Sequence, residues 1–214
     1  MTDRERSSDS VIEARGLTKR FGELEAVKGI DLDVHRGEIF GFLGPNGAGK
    51  STTINILCTL MRPTAGEASV AGFDVDRHPA DVRARIGLVF QDPSLDAQLT
   101  ARENLEFHAF VYSVPAAERA ARIAQVLEMV ELTDRANSIV MTFSGGMKRR
   151  LEIARGFLHT PKILFLDEPT LGLDPQSRNQ LWTHVKQLNE TEGVTVFLTT
   201  HYMDEAERVA HRIA

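Results

Sequence analysis

Residues Gly44, Pro45, Asn46, Gly47, Ala48, Gly49, Lys50 and Ser51 read GPNGAGKS, a glycine-rich run closing on a lysine and a hydroxyl. The spacing G-x-x-x-x-G-K-[ST] suits the cradling of phosphates. Glycines admit positive φ and leave no side chain in the way, so successive N–H groups can turn inward onto phosphate oxygens. A helix opening at Lys50 adds a partial positive charge. Lys50 then sets an ammonium against the β- and γ-phosphates, and the Ser51 hydroxyl can ligate Mg²⁺. The motif predicts a nucleoside triphosphate with Mg²⁺. It does not choose among kinase, GTPase and ATPase.

Lys162 to Pro169 reads KILFLDEP, an apolar run ending in two acids. A buried strand that ends this way puts both carboxylates at the edge where open α/β sheets bind ligands. Asp167 is the residue expected to help hold Mg²⁺, directly or through water. Glu168 is a second carboxylate beside the γ-phosphate, able to orient or deprotonate an attacking water. Water as acceptor favours an ATPase over a kinase.

These residues need elements to hold them. Ile39 to Leu43 (IFGFL) reads as a strand buried on both faces, and Lys50 to Leu60 as the helix after the loop. Upstream, Val11 to Val34 alternates, with Ile30, Leu32 and Val34 on one face, the pattern of half-buried antiparallel strands. Glu67 to Val75 and Arg85 to Gln91 read as further strands. Thr100 to Leu132 is rich in Ala, Glu, Arg and Leu, broken at Ser113 to Pro115. Ala120, Ile123, Leu127 and Val130 recur there at helical spacing, which predicts one buried face in an all-helical insertion. Helices are expected at Ser144 to Leu158, Pro175 to Leu188 and Met203 to Ala210, and strands at Lys162 to Leu166 and Val194 to Leu198. Strands alternating with helices on both sides of a helical block predict an α/β core with a parallel sheet.

The chain has 214 residues, 42% hydrophobic and 26% charged, which predicts one globular domain. Residues 1–10 read as a disordered polar tail, not a secretory signal. No apolar run approaches the roughly 20 residues that cross a bilayer. The single cysteine, Cys58, allows no internal disulfide and reads as a small core residue. The net charge of -5 argues against a nucleic-acid coat, so Lys148, Arg149 and Arg150 read as a solvated helix face. Trp182 reads as packing.

Two further segments carry a resemblance. Phe143 to Arg150 reads FSGGMKRR and resembles the LSGGQ signature of the ABC ATPases, beginning its serine 23 residues ahead of Asp167. Thr199 to Asp204 reads TTHYMD, in which His201 is similar to that family's switch histidine. Leu171 to Pro175 (LGLDP) is similar to its D-loop, and Gln91 in VFQDP to its Q-loop. Phe21 in KRFGELEAV matches the aromatic that stacks on adenine. The stretches QDPSLDAQLTARENL and SGGMKRRLEIARGFLH resemble exporters of the drug-resistance type, such as the daunorubicin-resistance ATPases.

The resemblance implies a P-loop NTPase core with a parallel sheet, an N-terminal antiparallel β subdomain and an inserted α-helical subdomain at about 93–158, all within 11–214. It implies a head-to-tail dimer of two copies, each ATP lying between the phosphate loop of one and the signature of the other. Ser144, Gly145 and Gly146 open a predicted helix and offer a hydroxyl, N–H groups and a dipole end to an anion. By the same resemblance Gln91 approaches Mg²⁺ and the water, His201 contacts the γ-phosphate and steadies Glu168, Asp174 bridges the protomers, and Thr52 adds a phosphate contact. The other six histidines read as structural. Two departures limit the transfer. Met147 stands where the signature has Gln and cannot donate a hydrogen bond. Phe21 stands where Tyr is commoner, keeping the stacking face and losing the hydroxyl.

The expectation is an ATP-hydrolysing subunit of an exporter, peripheral on the cytoplasmic face of the membrane beneath a separate transmembrane permease, with no nucleic acid bound. The rival readings are an importer ATPase, and a non-transport ATPase acting on nucleic acid or ribosomes. The latter usually carries coiled coils, zinc modules or tandem domains, which this sequence does not display. The end at HRIA falls where the family enters another strand, so the sequence reads as truncated at Ala214, with an edge element in doubt.

Overall fold

A computed structural model describes residues 9–92 and 94–214. The first sheet is antiparallel, in the order β2-β1-β4-β5. It comprises β1 (Ser10–Phe21), β2 (Leu24–His35), β4 (Ala65–Val70) and β5 (Phe73–Asp74). Alternation buries Ile12, Ala14, Leu32 and Val34 and leaves the opposite face to solvent.

The second sheet is parallel throughout, in the order β6-β7-β8-β3-β9. Its strands are β3 (Ile39–Leu43), β6 (Ile86–Val89), β7 (Ile163–Asp167), β8 (Thr195–Thr200) and β9 (Arg212–Ile213). The apolar runs follow from burial on both faces. Leu164, Leu166, Val196 and Leu198 join one core cluster, while Ile163, Phe165 and Phe197 join the other. Phe197 packs against Phe40 and Phe165, with ring centroids 5.5 Å away in each case.

The helices are α1 (Lys50–Leu57), α2 (Pro79–Arg83), α3 (Ala101–Val111), α4 (Ala116–Met129), α5 (Gly145–Phe157), α6 (Pro175–Glu192) and α7 (Met203–Val209). From Ala101 to Phe157 the named elements are all helical, with short 3-10 turns at Thr133–Arg135 and Val140–Thr142. Among the described residues no helix is long and apolar enough to cross a membrane.

Several sequence expectations are corrected. The tail boundary moves, because Ser10 already pairs with His35 in β1; residues 1–8 lie outside the described ones. Helix α1 ends at Leu57, not Leu60, because Thr59 takes φ 63° and the N–H groups of Leu60 and Met61 turn back to Asn55 O. The strand expected over Glu67 to Val75 is broken at Ala71 and Gly72, both at positive φ, into β4 and β5. Ala120 is exposed; the buried face of α4 is Ile123, Val126 and Leu127. Near Ala214 the two-residue β9 lies at one end of the strand order, with Arg212 opposite Phe40.

Parallel order has one functional consequence. Strands β6, β7, β8 and β3 end side by side, with Asp167 opposite Thr199 and Leu43 opposite Thr200. The segments beginning at Phe90, Glu168, His201 and Gly44 therefore leave the sheet at one carboxyl edge.

Candidate nucleotide-binding and hydrolytic site

The phosphate loop turns on glycines. Gly47 has φ 81° and Gly49 φ 91°, where a side chain is strained. A Cβ on Gly49 would also overlap the Ala26 carbonyl oxygen. Gly49 is the N-cap of α1, whose first turn forms through the Thr53 N–H and hydroxyl, both 2.9 Å from Gly49 O. Lys50 is 5% exposed. Its ammonium donates to Gly44 O at 2.7 Å and Pro45 O at 3.0 Å, and lies 3.1 Å from Glu168 Oε1.

Glu168 adopts φ 43°, a left-handed backbone that is unusual for a glutamate. Its N–H donates to Thr199 Oγ1 at 3.0 Å, and that hydroxyl donates to Asp167 Oδ1 at 2.6 Å. One hydroxyl from β8 thus satisfies both acidic neighbours. His201 Nδ1 stands 3.2 Å from Glu168 Oε2. The two carboxylate oxygens are held by different partners, Lys50 on one and His201 on the other.

A cleft of about 440 Å³ opens over Lys50 and Glu168, with Asp167, Thr199 and His201 outside its lining; its size is within the range of small-molecule sites. The antiparallel sheet contributes Phe21, Leu24 and Ala26. The loop and α1 contribute Asn46, Gly47, Gly49, Lys50, Ser51 and Thr52. Gln91, Glu168 and Leu171 close the far side. Phe21 is 46% exposed, so its ring offers a face to a planar ligand. Leu24 and Ala26 were not anticipated from sequence; their place beside Phe21 across the hairpin turn is the signal that points to them.

The oxygen donors suit Mg²⁺, a hard cation that prefers hydroxyl, amide and carboxylate oxygen and keeps water and phosphate ligands. Ser51 and Gln91 line the cleft, and Asp167 is held by Thr199 at the strand end. Among the described residues no group of three or more His, Cys, Asp or Glu could hold a metal alone.

The signature residues do not line this cleft. Ser144 caps α5, accepting from the Met147 N–H at 3.2 Å, which leaves its own O–H free to donate. Asp174 caps α6 in the same way, accepting from the Ser177 N–H at 3.0 Å and hydroxyl at 2.6 Å. The two helix starts are pressed together. A Cβ on Gly146 would stand 2.5 Å from Ser177 Oγ.

The basic cluster is not a solvated face. Arg149 is 6% exposed and bonds the carbonyls of Phe90, Asp167 and Pro169 as well as Glu152. Arg150 donates to Val130 O and faces Glu131. Glycine, Arg149 and Glu152 at positions 146, 149 and 152 follow a three-residue spacing on one helix face, and that opposite-charge spacing was the available signal. Cys58 is buried, and burial followed by the nearby Asp167 charge pushes its thiol well above its usual range.

Comparison with known proteins agrees with this arrangement. The family model described as ABC transporter matches residues 27–171, more than half of the chain. The linearmycin resistance ATP-binding protein LnrL of Bacillus subtilis is 46% identical over 203 residues, 95% of this chain and 65% of that protein. The daunorubicin/doxorubicin resistance ATP-binding protein DrrA of Streptomyces peucetius is 48% identical over 203 residues, 95% of this chain and 61% of that protein. The chain thus spans less than two thirds of the length of these curated relatives. Among solved structures, the ATP-binding cassette MJ0796, a dimer in a post-hydrolysis state bound to ADP and Pi, superposes with TM-score 0.83. It shares 34% identity over 94% of this chain and 92% of that one. The cbiO1 subunit from Clostridium perfringens superposes with TM-score 0.87 at 28% identity, over 94% of this chain and 82% of that one. With the phosphate loop and Glu168 both inside the matched span, the chain belongs to the ABC transporter family.

Proposed function

We propose that this chain binds and hydrolyses ATP as the motor subunit of an exporter for drugs or other amphipathic compounds. It works as a head-to-tail pair with a second copy, on the cytoplasmic face of a separate membrane permease. The observation that carries the ATPase part is the Lys50–Glu168–His201 line, with a buried Lys50–Glu168 pair, at the mouth of the phosphate loop. The drug-type cargo rests on the names of the relatives, which are resistance proteins for linearmycin and daunorubicin. The pairing rests on the dimeric MJ0796 cassette and on signature residues that lie outside the lining of their own chain's cleft. The helical block at about 93–158 is proposed as a subdomain presenting Ser144, Gly145 and Gly146 to the partner copy.

Each residue's part follows from its position. Backbone N–H groups between Asn46 and Thr52 take the phosphate oxygens, and Phe21 takes the adenine face. Lys50 is held by two carbonyls on one side, so its remaining donor direction is fixed toward a γ-phosphate or Glu168. Glu168 orients a water and accepts its proton as the oxygen attacks phosphorus. His201 steadies Oε2, and Oε1, paired with Lys50 in this structure, turns to the water once the ammonium engages the γ-phosphate. Gln91 reaches the same water from across the cleft. Ser51, Gln91 and, directly or through water, Asp167 would hold Mg²⁺, which when bound would supply charge neutralisation at the phosphates. Closure by ATP and reopening after hydrolysis is a population shift between open and closed pairs.

The test is Glu168→Gln. Hydrolysis should fall by about 10²- to 10⁴-fold, while ATP binding persists and an ATP-dependent dimer accumulates in size-exclusion chromatography. Normal turnover by the variant would overturn the role of Glu168.

A further inference from the structure

Glu168 stands in a left-handed turn, and the carbonyls on either side of it are both held by one side chain. Arg149 donates from Nη2 to Asp167 O at 3.1 Å and from Nε to Pro169 O at 2.7 Å. Its Nη1 reaches Phe90 O, in the peptide that leads into Gln91, and Glu152 Oε2 at 2.8 Å. Glu152 accepts from the Ser94 N–H at 2.8 Å, beyond Gln91 on the same segment. Arg149 and Glu152 are almost fully enclosed, so these bonds do not compete with water.

We propose that Arg149 is a positioning residue for hydrolysis, one that locks the left-handed backbone of Glu168 and sets Gln91 against it. The proposal rests on the ATPase reading above. Relaxing Glu168 to an ordinary φ would rotate the chain that follows its Cα, the Pro169 carbonyl included, against the Asp167 carbonyl that precedes it. Both are tied to a planar guanidinium whose donors lie in fixed directions. Thr199 holds the Glu168 N–H from the opposite side, so the turn is fixed on both flanks. The same guanidinium fixes the residue before Gln91. The two groups meant to face the water are thereby referenced to one rigid fork, on the helix that Ser144 caps. A lysine offers a point charge and can satisfy only part of this set.

The experiment compares wild type, Arg149→Gln, Arg149→Lys, Glu168→Gln and the double variant Arg149→Gln/Glu168→Gln, in steady-state ATP hydrolysis and in calorimetric ADP binding. Arg149→Gln should lower kcat by about 10- to 100-fold, the scale of a small misplacement of reacting groups. ADP affinity should stay near wild type, and Arg149→Lys should restore part of the rate. In the Glu168→Gln background, Arg149→Gln should add much less than its loss as a single variant, because the larger part of its effect passes through that carboxylate. Wild-type kcat in Arg149→Gln overturns the proposal. So does a rate loss matched by an equal loss of ADP affinity, or a full multiplicative loss in the double variant. If Arg149→Gln does not fold, Arg149→Lys carries the same comparison, with an intermediate loss of kcat at unchanged ADP affinity expected. Wild-type turnover in Glu168→Gln would instead strike the ATPase reading itself.

Discussion

Lys50 Nζ lies 3.1 Å from Glu168 Oε1, and the two side chains are only 5% and 8% exposed. The cation and the carboxylate proposed to bind phosphate and orient the water are therefore a buried ion pair. Each is the other's charge partner within the folded chain. A buried pair is held mainly by the penalty of leaving one member alone.

Lys50→Ala removes the cation from that pair. ATP binding should be lost in equilibrium titration. The fold should also weaken, by less than the roughly 3–5 kcal/mol typical of breaking a buried pair, because His201 still faces Glu168 Oε2. The double variant Lys50→Ala/Glu168→Gln should regain part of the melting temperature. An equal or lower melting point in the double variant would contradict the pairing.

Thr199→Val keeps the shape of the side chain and deletes its hydroxyl. It strands the Glu168 N–H and removes a donor from Asp167. An unsatisfied buried group costs about 1–3 kcal/mol, measurable by denaturant unfolding. Turnover should fall with it, since the left-handed turn at Glu168 loses one of its holds. Unchanged stability and unchanged turnover would argue that this hydroxyl is idle.

Gly146→Ala tests the contact between the starts of α5 and α6. The new methyl would meet Ser177 Oγ at 2.5 Å and disturb the cap on Asp174. Overpacking of this kind costs about 1–3 kcal/mol. Ser177→Gly in the same chain should recover much of that stability by removing the opposing atoms. If the pair of changes is simply additive in thermal melts, the contact is not the cause.

His108 is depressed to about 4, chiefly by burial and secondarily by the charge of Arg155. The unfolded chain therefore takes up a proton near the ordinary histidine value while the folded one does not. This contribution to stability is present above about pH 6.5 and is lost as pH falls toward 4. His108→Gln should thus lose less stability than wild type between pH 7.5 and 5 in thermal melts. A parallel fall in both proteins would exclude this histidine as a source of acid sensitivity.

The phosphate loop, the acidic pair and the strands beneath them were legible in the sequence because their physics is local. Eight consecutive residues set the loop's backbone, and a short apolar run such as ILFLD, ended by an acid and a proline, reads as a doubly buried strand. The segments similar to the signature and the switch stand out only through that resemblance, since a lone serine cap or histidine has no chemistry of its own to announce. What the sequence could not settle depends on residues far apart in the chain. Arg149 looked like a solvated cation, yet it reaches a carbonyl 59 residues upstream and others 18 and 20 downstream. Glu168 adopts a backbone that its residue type disfavours, held by a threonine 31 residues later. Only the packing of α5 against the ends of β6 and β7 decides that a basic helix residue points inward. It does so because the carbonyls there need donors once water is excluded.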